Sequence, residues 1–148
     1  MIEPRRFRTI LVPTDFSPTA ERALVLAEEL ARAAGPAQLV LVNAYAVPLE
    51  LEALALYGAK RVFDELAGES KKRCREVVAR LKNVGLSAES AGSHGRPEEV
   101  IVEMARKKSV DVIVMGTHGR TGLPHVLLGS VAERVMRNAP CPVITVGP

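Results

Sequence analysis

A glycine-rich run follows an apolar segment in the last third of the chain. Residues 116–130 read GTHGRTGLPHVLLGS and come directly after the largely apolar residues 110–115. Because glycine has no Cβ, a loop rich in it lets backbone N–H groups approach an anion closely. A helix that starts just after the loop adds N–H donors and the positive end of its dipole. The run therefore predicts a phosphate site, with Gly129 and Ser130 where the helix begins.

This loop differs from two common phosphate-binding motifs. The chain has no G-x-x-x-x-G-K-[ST] motif, no lysine between residues 109 and 148, and no G-x-G-x-x-G motif. Three scattered histidines and the distant Cys74 and Cys141 have no metal-ligand spacing. No nucleophile, base or carboxylate pair has a supporting motif either. The residues thus indicate a cradle for nucleotide phosphates, with no catalytic residue and no protein metal ligand assigned.

Strands and helices alternate along the chain. Short apolar runs bounded by turn residues predict five buried parallel strands. They are Thr9–Val12, Leu39–Val42, Leu86–Ser90, Val110–Met115 and Val143–Val146. The alternation predicts an α/β fold: a single domain over residues 1–148 with an open five-stranded parallel sheet and helices on both faces.

Apolar stripes with helical spacing predict the helices between these strands. Ser17 and Pro18 form an N-cap and first-turn pair, and Gly35-Pro36 ends the first helix. Later helices are predicted over the stripe from Phe63 to Val84, after Arg96-Pro97-Glu98-Glu99, and from Ser130 to the residues before Pro140. The predicted buried faces include Ala20, Ala23, Leu24, Ala27, Leu30, Ala31 and Ala34, then Phe63, Leu66, Ser70, Cys74, Val77, Leu81 and Val84, then Val100, Ile101, Met104 and Ala105, and finally Val131, Ala132, Val135 and Met136.

The predicted topology brings a carboxylate opposite the glycine loop. In a doubly wound sheet a ligand binds beyond the carboxyl ends of the strands, where the strand order reverses. With the order 3-2-1-4-5, the reversal lies between strands 1 and 4. The loop after strand 1, residues 13–17, contains Asp15. Asp15 is placed to accept hydrogen bonds from ribose hydroxyls or to help hold a cation, although Asp also favours turns.

Composition bounds the class of protein. The 148 residues are 47% hydrophobic and 25% charged, as in an ordinary globular domain. Aromatic residues make up 3%, and the net charge is only +3, so neither stacking platforms nor a strong basic patch indicate nucleic-acid binding. The chain shows no signal-peptide pattern, no membrane-spanning run and no disulfide spacing, so we expect a soluble cytoplasmic protein. Ala46–Gly58 reads as a surface loop or, alternatively, a mobile lid.

The spacing of these motifs resembles the universal stress protein family. Gly116-x-x-Gly119, nine residues, then Gly129-Ser130 is similar to the signature G-2x-G-9x-G-[ST] of its ATP-binding subclass. The opening residues 10–17, the segment 95–101 and the ending 139–146 also resemble that family. The likeness covers nearly the whole chain, and it implies a Rossmann-like fold that binds ATP.

The resemblance implies specific binding roles. Pro13, Thr14 and Asp15 would line the adenosine end, Ala44 would present backbone groups to adenine, and Gly119, Gly129 and Ser130 would contact phosphates. Mg²⁺ would screen the phosphates, and residues 143–146 would pair with a second subunit as a dimer edge. The full candidate set is Pro13, Thr14, Asp15, Ala44, Met115, Gly116, His118, Gly119, Arg120, Gly129, Ser130 and Val131.

Several of these residues have simpler interpretations. Asp15 could simply form a turn, and Gly116, Gly119 and Gly122 could be turn glycines. Gly129 and Ser130 could be an ordinary helix N-cap. Arg120 either reaches a terminal phosphate or is solvated.

Three functions remain open at this point. The first is an ATP-binding stress-response module whose bound nucleotide alters a surface read by a protein partner. The second is a slow ATPase or autophosphorylating protein, with Ser130 or Thr121 as acceptors. The third is a nucleotide-independent dimeric scaffold.

Overall fold

Five parallel strands form the centre of the computed structural model, which describes residues 6–45, 60–119 and 128–148. The strands are β1 (Thr9–Pro13), β2 (Gln38–Tyr45), β3 (Ser87–His94), β4 (Val112–Gly116) and β5 (Val143–Val146). The helices are α1 (Pro18–Ala34), α2 (Lys60–Asn83), α3 (Pro97–Lys107) and α4 (Ser130–Asn138). The sheet order is β3-β2-β1-β4-β5, which confirms the predicted topology.

Alternate residues of the strands supply two cores, one on each face of the sheet. Ile10 and Val12 pack with α1 and α2, whereas Leu11 packs with α3 and α4. Successive side chains in a strand point to opposite faces, so an uninterrupted apolar run is buried on both sides. The helices therefore cover both faces of the sheet, as predicted.

The predicted burial of β3 and β5 is wrong. Most residues of β3 are exposed, and all four residues of β5 are half-buried. Both strands lie at edges of the described sheet, where only one neighbouring strand excludes water. The apolar strands β1, β2 and β4 lie between them and contain most of the largest fully buried side chains.

The start of α1 agrees with its sequence signal. The hydroxyl of Ser17 accepts a hydrogen bond from Ala20 N at 3.3 Å, and Pro18 opens the helix. Gly35 follows the helix with φ of 89°, a left-handed conformation that glycine adopts without strain. The sequence therefore predicts both ends of this helix.

Among the described side chains, four that were predicted on buried helix faces are exposed, and the side chain of Phe63 lies outside the described part of the structure. The four exposed residues are Ala34, Leu66, Val84 and Met136. Ala34 is the last residue of α1, and Val84 lies beyond the last residue of α2. Leu66 lies in the first half of α2, whereas the buried residues Cys74, Val78 and Leu81 lie in its second half. Periodicity marks the direction of the buried face but not how far the sheet extends beneath it.

Candidate functional site

A cavity of about 500 Å³ opens at the carboxyl ends of the strands, where β1 and β4 diverge. Its walls come from the loop between β1 and α1, the end of β2, the first turn of α3, the end of β4 and the start of α4. This is the strand-order reversal at which open α/β sheets place ligands. The volume is within the range of small-molecule pockets.

Eleven of the twelve candidate residues line this cavity. They are Pro13, Thr14, Asp15, Ala44, Met115, Gly116, His118, Gly119, Gly129, Ser130 and Val131. Arg120, the twelfth, lies outside the described residues, as do Thr121, Gly122, His125 and the segment 46–59.

Six lining residues were not predicted: Ala20, Val42, Pro97, Ile101, Thr117 and Ala132. Pro97 opens α3 at the same edge of the sheet, and Ile101 lies one turn later. The sequence signal for these two residues was a proline that starts a helix after a strand. Such a proline marks the helix start but does not show which cavity the helix borders.

The loop after β1 is shaped by its own polar side chains. Asp15 Oδ1 accepts a hydrogen bond from Ser17 N at 3.0 Å, and Thr14 Oγ1 accepts one from Phe16 N at 3.0 Å. Phe16 has a left-handed φ of 62°, which is unusual for a bulky residue. Asp15 therefore does form a turn, and the same turn brings it to the cavity wall.

Glycines allow the opposite loop to pack closely against its neighbours. A Cβ on Gly119 would lie 2.7 Å from Asp15 Oδ2, and one on Gly116 would lie 3.0 Å from the backbone of Thr19. A Cβ on Gly129 would lie 2.7 Å from the carbonyl oxygen of Thr117. The close packing at these three glycines is therefore within the protein itself, and at Gly129, which faces backbone, it leaves no room for a side chain whether or not an anion is bound.

The first turn of α4 faces the cavity with N–H donors. Gly129 is the N-cap, its N–H donates to Thr117 O at 2.7 Å, and its carbonyl accepts the first helical bond from Glu133. The N–H groups of Ser130, Val131 and Ala132 therefore have no acceptor within the helix, and these residues line the cavity. The cap interpretation and the anion-site interpretation describe the same geometry.

The end of β2 offers a backbone edge to the cavity. Val42 O accepts a hydrogen bond from Thr14 N at 2.8 Å, so the polar groups of Val42 point towards β1. Backbone groups alternate in direction along a strand, so those of Ala44 point to the same side. Because β1 ends at Pro13, the N–H and carbonyl of Ala44 are directed at the cavity instead of a ladder partner. One donor beside one acceptor suits the edge of a heterocyclic base.

His118 is held at two points. Its ring Nδ1 lies 2.8 Å from Thr117 Oγ1, and its carbonyl accepts a short hydrogen bond from the hydroxyl of Thr19. The second bond joins the base of the glycine loop to the first turn of α1. The ring is thus oriented by Thr117, and its backbone fastens two cavity walls together.

An ion-pair cluster lies beside the cavity wall. Glu98, next to the lining residue Pro97, pairs with Arg96 at 2.8 Å and with Arg134 of α4 at 2.7 Å. Burial alone raises the pKa of Glu98, but a hydrogen bond from its own backbone N–H and the two arginines outweigh burial and lower the pKa below its ordinary value. The cluster fastens the first turn of α3 to α4.

The sequence and structure match a known family at this point. The model of the universal stress protein family matches residues 6–147. The chain belongs to that family. Universal stress protein MJ0577 of Methanocaldococcus jannaschii is 33% identical over 153 residues, covering 95% of this chain and 94% of that protein.

Solved structures of the family have the same fold. The structure of MJ0577 superposes with a TM-score of 0.87 at 32% identity, covering 97% of this chain and 98% of the other. A universal stress protein of Archaeoglobus fulgidus in complex with dAMP gives 0.68 at 28% identity, with 96% and 99% covered. A universal stress protein in complex with cAMP gives 0.66 at 27% identity, with 97% and 98% covered.

The described part of the cavity wall offers the carboxylate of Asp15 as a possible ligand for a cation. Within residues 6–45, 60–119 and 128–148, no cluster of three or more His, Cys, Asp and Glu side chains could hold an ion. Mg²⁺ commonly uses one or two carboxylates together with substrate phosphates. Asp15 is a carboxylate on this wall, and phosphate oxygens would supply most other ligands.

Across the same three described ranges, no helix combines the length and apolarity needed to cross a bilayer.

Proposed function

We propose that this universal stress protein binds an adenine nucleotide in the cavity, with Mg-ATP as its principal ligand. The observation that carries the proposal is the joint lining of one cavity by the signature glycines, the α4 N-terminus and Asp15. The relatives in complex with dAMP and cAMP support an adenine nucleotide as the ligand class.

In this proposal, the three parts of the nucleotide would lie along the cavity in order. Adenine would lie between Ala44 and the apolar residues Pro97 and Ile101 of α3. The ribose hydroxyls would donate to Asp15. The phosphates would accept hydrogen bonds from the N–H groups at Ser130 and Val131, where the helix dipole favours negative charge. Mg²⁺ would accompany the phosphates and neutralise part of their charge.

The bound nucleotide would act as a signal rather than as a substrate that turns over rapidly. Efficient hydrolysis requires a group that orients water on the γ-phosphate. The titratable side chains on the described wall are Asp15 and His118, and each already makes a hydrogen bond within the protein. We therefore propose a cytoplasmic stress-response module that passes its nucleotide state to a protein partner and hydrolyses ATP slowly, if at all.

Calorimetric titration of nucleotide-stripped protein tests the ligand. Mg-ATP, AMP, cAMP and adenosine are each titrated into the wild type and into Asp15→Asn. The amide oxygen that this substitution introduces can still accept a hydrogen bond from Ser17 N, so the variant keeps the turn while losing the negative charge. We expect micromolar binding of ATP by the wild type and weaker binding of all four ligands by the variant.

The glycines are unsuitable for this first test. Any side chain at Gly129 would meet the backbone of Thr117, so a loss of binding there would not identify a phosphate contact. Absence of binding by the wild type would reject the proposal and favour the nucleotide-independent scaffold. Preference for AMP or cAMP over ATP would replace ATP with a monophosphate as the ligand.

We also propose a homodimer formed through β5. This strand is at the sheet edge and its residues are half-buried. The carbonyl oxygens of Pro142 and Val146 accept hydrogen bonds from the N–H groups of Ile113 and Thr117, so they point towards β4. Backbone polar groups alternate in direction along a strand, so the N–H of Thr145 points away from β4. Thr145→Pro removes this outward donor without cutting the ladder to β4. We expect light scattering to show a dimer for the wild type and for Thr145→Val, and a monomer for Thr145→Pro; a dimeric proline variant would reject this interface.

A further inference from the structure

Asn43 is a polar residue inside an apolar strand. It follows the buried residues 39–42 of β2 and is only 7% exposed. A buried amide is costly unless its donors and acceptor are hydrogen-bonded. Its presence at this position therefore needs an explanation in terms of its partners.

The amide of Asn43 joins the cavity loop to α2. Its Nδ2 donates to the carbonyl oxygen of Thr14 at 2.7 Å, and its Oδ1 accepts a hydrogen bond from the hydroxyl of Ser70. A carbonyl can only accept, so the nitrogen of the amide must face Thr14. The β1–β2 ladder has ended by this point, and the side chain of Asn43 takes the place of the next ladder bond.

A second side chain of α2 contacts the same loop. The guanidinium carbon of Arg73 lies 3.9 Å from the ring centre of Phe16, a cation–π contact. Ser70 and Arg73 are three residues apart and so share one face of α2. Phe16 has a left-handed φ, which persists only where the surroundings hold it. α2 thus holds the loop segment 14–16 at both ends, at Thr14 through Asn43 and at Phe16 directly. This segment presents Asp15 to the cavity.

We infer that Asn43 and Ser70 are positioning residues for the nucleoside half of the ligand, and that Ser70 and Arg73 of α2 influence ligand affinity without lining the cavity. This inference rests on the proposed function. Neither residue is on the cavity wall, nor are Phe16 and Arg73. Without the Asn43 bridge, the loop populates conformations in which Asp15 no longer faces the ribose, and the apparent affinity falls by the fraction of molecules that are competent to bind.

The test compares Asn43→Leu, Ser70→Ala and a control, Val78→Ala. A leucine side chain is close in size to that of asparagine but makes neither hydrogen bond. Val78 is a buried residue of the same helix that packs in the core. Its truncation weakens α2 packing but removes neither the Asn43 hydrogen bonds nor the contact between Arg73 and Phe16. Each variant is titrated with adenosine and with Mg-ATP, and its stability is measured by denaturant unfolding.

We expect Asn43→Leu to raise the Kd of adenosine and of ATP by the same factor, about tenfold, the equivalent of one lost buried hydrogen bond. Ser70→Ala should raise both by about two- to threefold, because the bond to Thr14 remains. Val78→Ala should lower stability and leave both Kd values unchanged. Wild-type affinity in Asn43→Leu, or an equal loss of affinity in Val78→Ala at similar stability, would overturn the inference.

Hydrogen exchange without ligand separates this inference from the proposed function. The N–H groups of Phe16 and Ser17 are bonded within the loop, so Asn43→Leu should speed their exchange and Val78→Ala should not. Unchanged exchange in Asn43→Leu would overturn the positioning role even if nucleotide binds. If the wild type binds no nucleotide, the proposed function fails and the ligand part of the inference fails with it, whereas exchange still decides whether Asn43 holds the loop.

Discussion

The two loops that meet across the cavity keep their shapes by different means. The β1–α1 loop is held by polar side chains, since Thr14, Asp15 and Asn43 each make a hydrogen bond that fixes its backbone. The β4–α4 loop is held at its described ends by close packing of glycines, since a Cβ on Gly129 would collide with the backbone of Thr117 and one on Gly119 would displace the carboxylate of Asp15. Substitutions should therefore damage the second loop by collision and the first by lost hydrogen bonds.

Gly129→Ala should disrupt the β4–α4 loop more severely than any other substitution considered below. The new Cβ would lie 2.7 Å from the carbonyl oxygen of Thr117, which is backbone and cannot rotate away. The N–H of Gly129 also donates to that oxygen, so the methyl group strains a bond that closes the base of the loop. We expect a loss of about 2–3 kcal/mol in the free energy of unfolding, typical of overpacking, together with loss of ATP binding.

Chemical denaturation and calorimetry on the same samples check this expectation. Gly147→Ala is the control, because a Cβ there meets no atom within 4 Å. Equal stability of the two variants would mean that the close approach at Gly129 is not needed for folding.

Gly119→Ala tests where the two loops touch. Its Cβ would lie 2.7 Å from Asp15 Oδ2, the end of a side chain that is able to rotate. Stability should fall by only about 1 kcal/mol, the scale of the turn bond to Ser17 that Asp15 would lose. ATP affinity should fall more, by about tenfold or greater, because the displaced carboxylate no longer faces the ligand.

A double-mutant cycle with Asp15→Ala isolates this contact. If Gly119→Ala acts by displacing Asp15, it should cost little further affinity once Asp15 has been truncated. Additive losses would show instead that the methyl group blocks the ligand directly.

The sequence predicted the glycine loop better than the polar one. Gly116, Gly119 and Gly129 stand at a spacing that is informative by itself, and Asp15 follows a strand at the predicted reversal of strand order. The bridge from Ser70 through Asn43 to Thr14 spans three elements and arises only after β2 and α2 have packed. No local pattern encodes it, and Asn43 simply appears as a polar residue after an apolar run.

Strand ends and helix faces show the same limit. Residues 91–94 lie beyond the predicted strand Leu86–Ser90, yet β3 extends to His94 because backbone pairing with β2 does not depend on side-chain type. Met136 fits the apolar stripe of α4 but is 49% exposed, because the sheet and α3 cover only part of that stripe. Periodicity predicts the elements, and packing decides their extent.

The Glu98 ion pairs beside the cavity wall should make stability sensitive to acid. The folded protein lowers the pKa of Glu98, so the ionised carboxylate stabilises the fold above its unfolded pKa, and this contribution is lost as the pH falls through the folded pKa. At pH 7, Glu98→Gln should cost about 1 kcal/mol, because the amide still accepts a hydrogen bond from Arg134 but loses its charge.

Denaturant unfolding of the wild type and Glu98→Gln across a pH series measures this term. The two stability curves should converge in acid as Glu98 becomes protonated. A difference that stays constant from pH 7 to the acid limit would show that the pKa of Glu98 is not lowered by folding.

Gly68 lies outside the cavity, and there, unlike at Gly119 and Gly129, alanine should raise stability. Gly68 lies inside α2, and a Cβ there would meet no atom within 4 Å. Glycine in a helix interior is less favourable than alanine, so Gly68→Ala should raise stability by about 0.5–1 kcal/mol. Gly68 precedes Ser70 and Arg73, which hold the cavity loop through Asn43 and Phe16. Because the substitution leaves those contacts in place, we expect the Kd of ATP to stay at its wild-type value while the denaturation midpoint rises. A loss of ATP affinity in this more stable variant would mean that nucleotide binding requires backbone flexibility of α2 at Gly68, in addition to the contacts that Ser70 and Arg73 make.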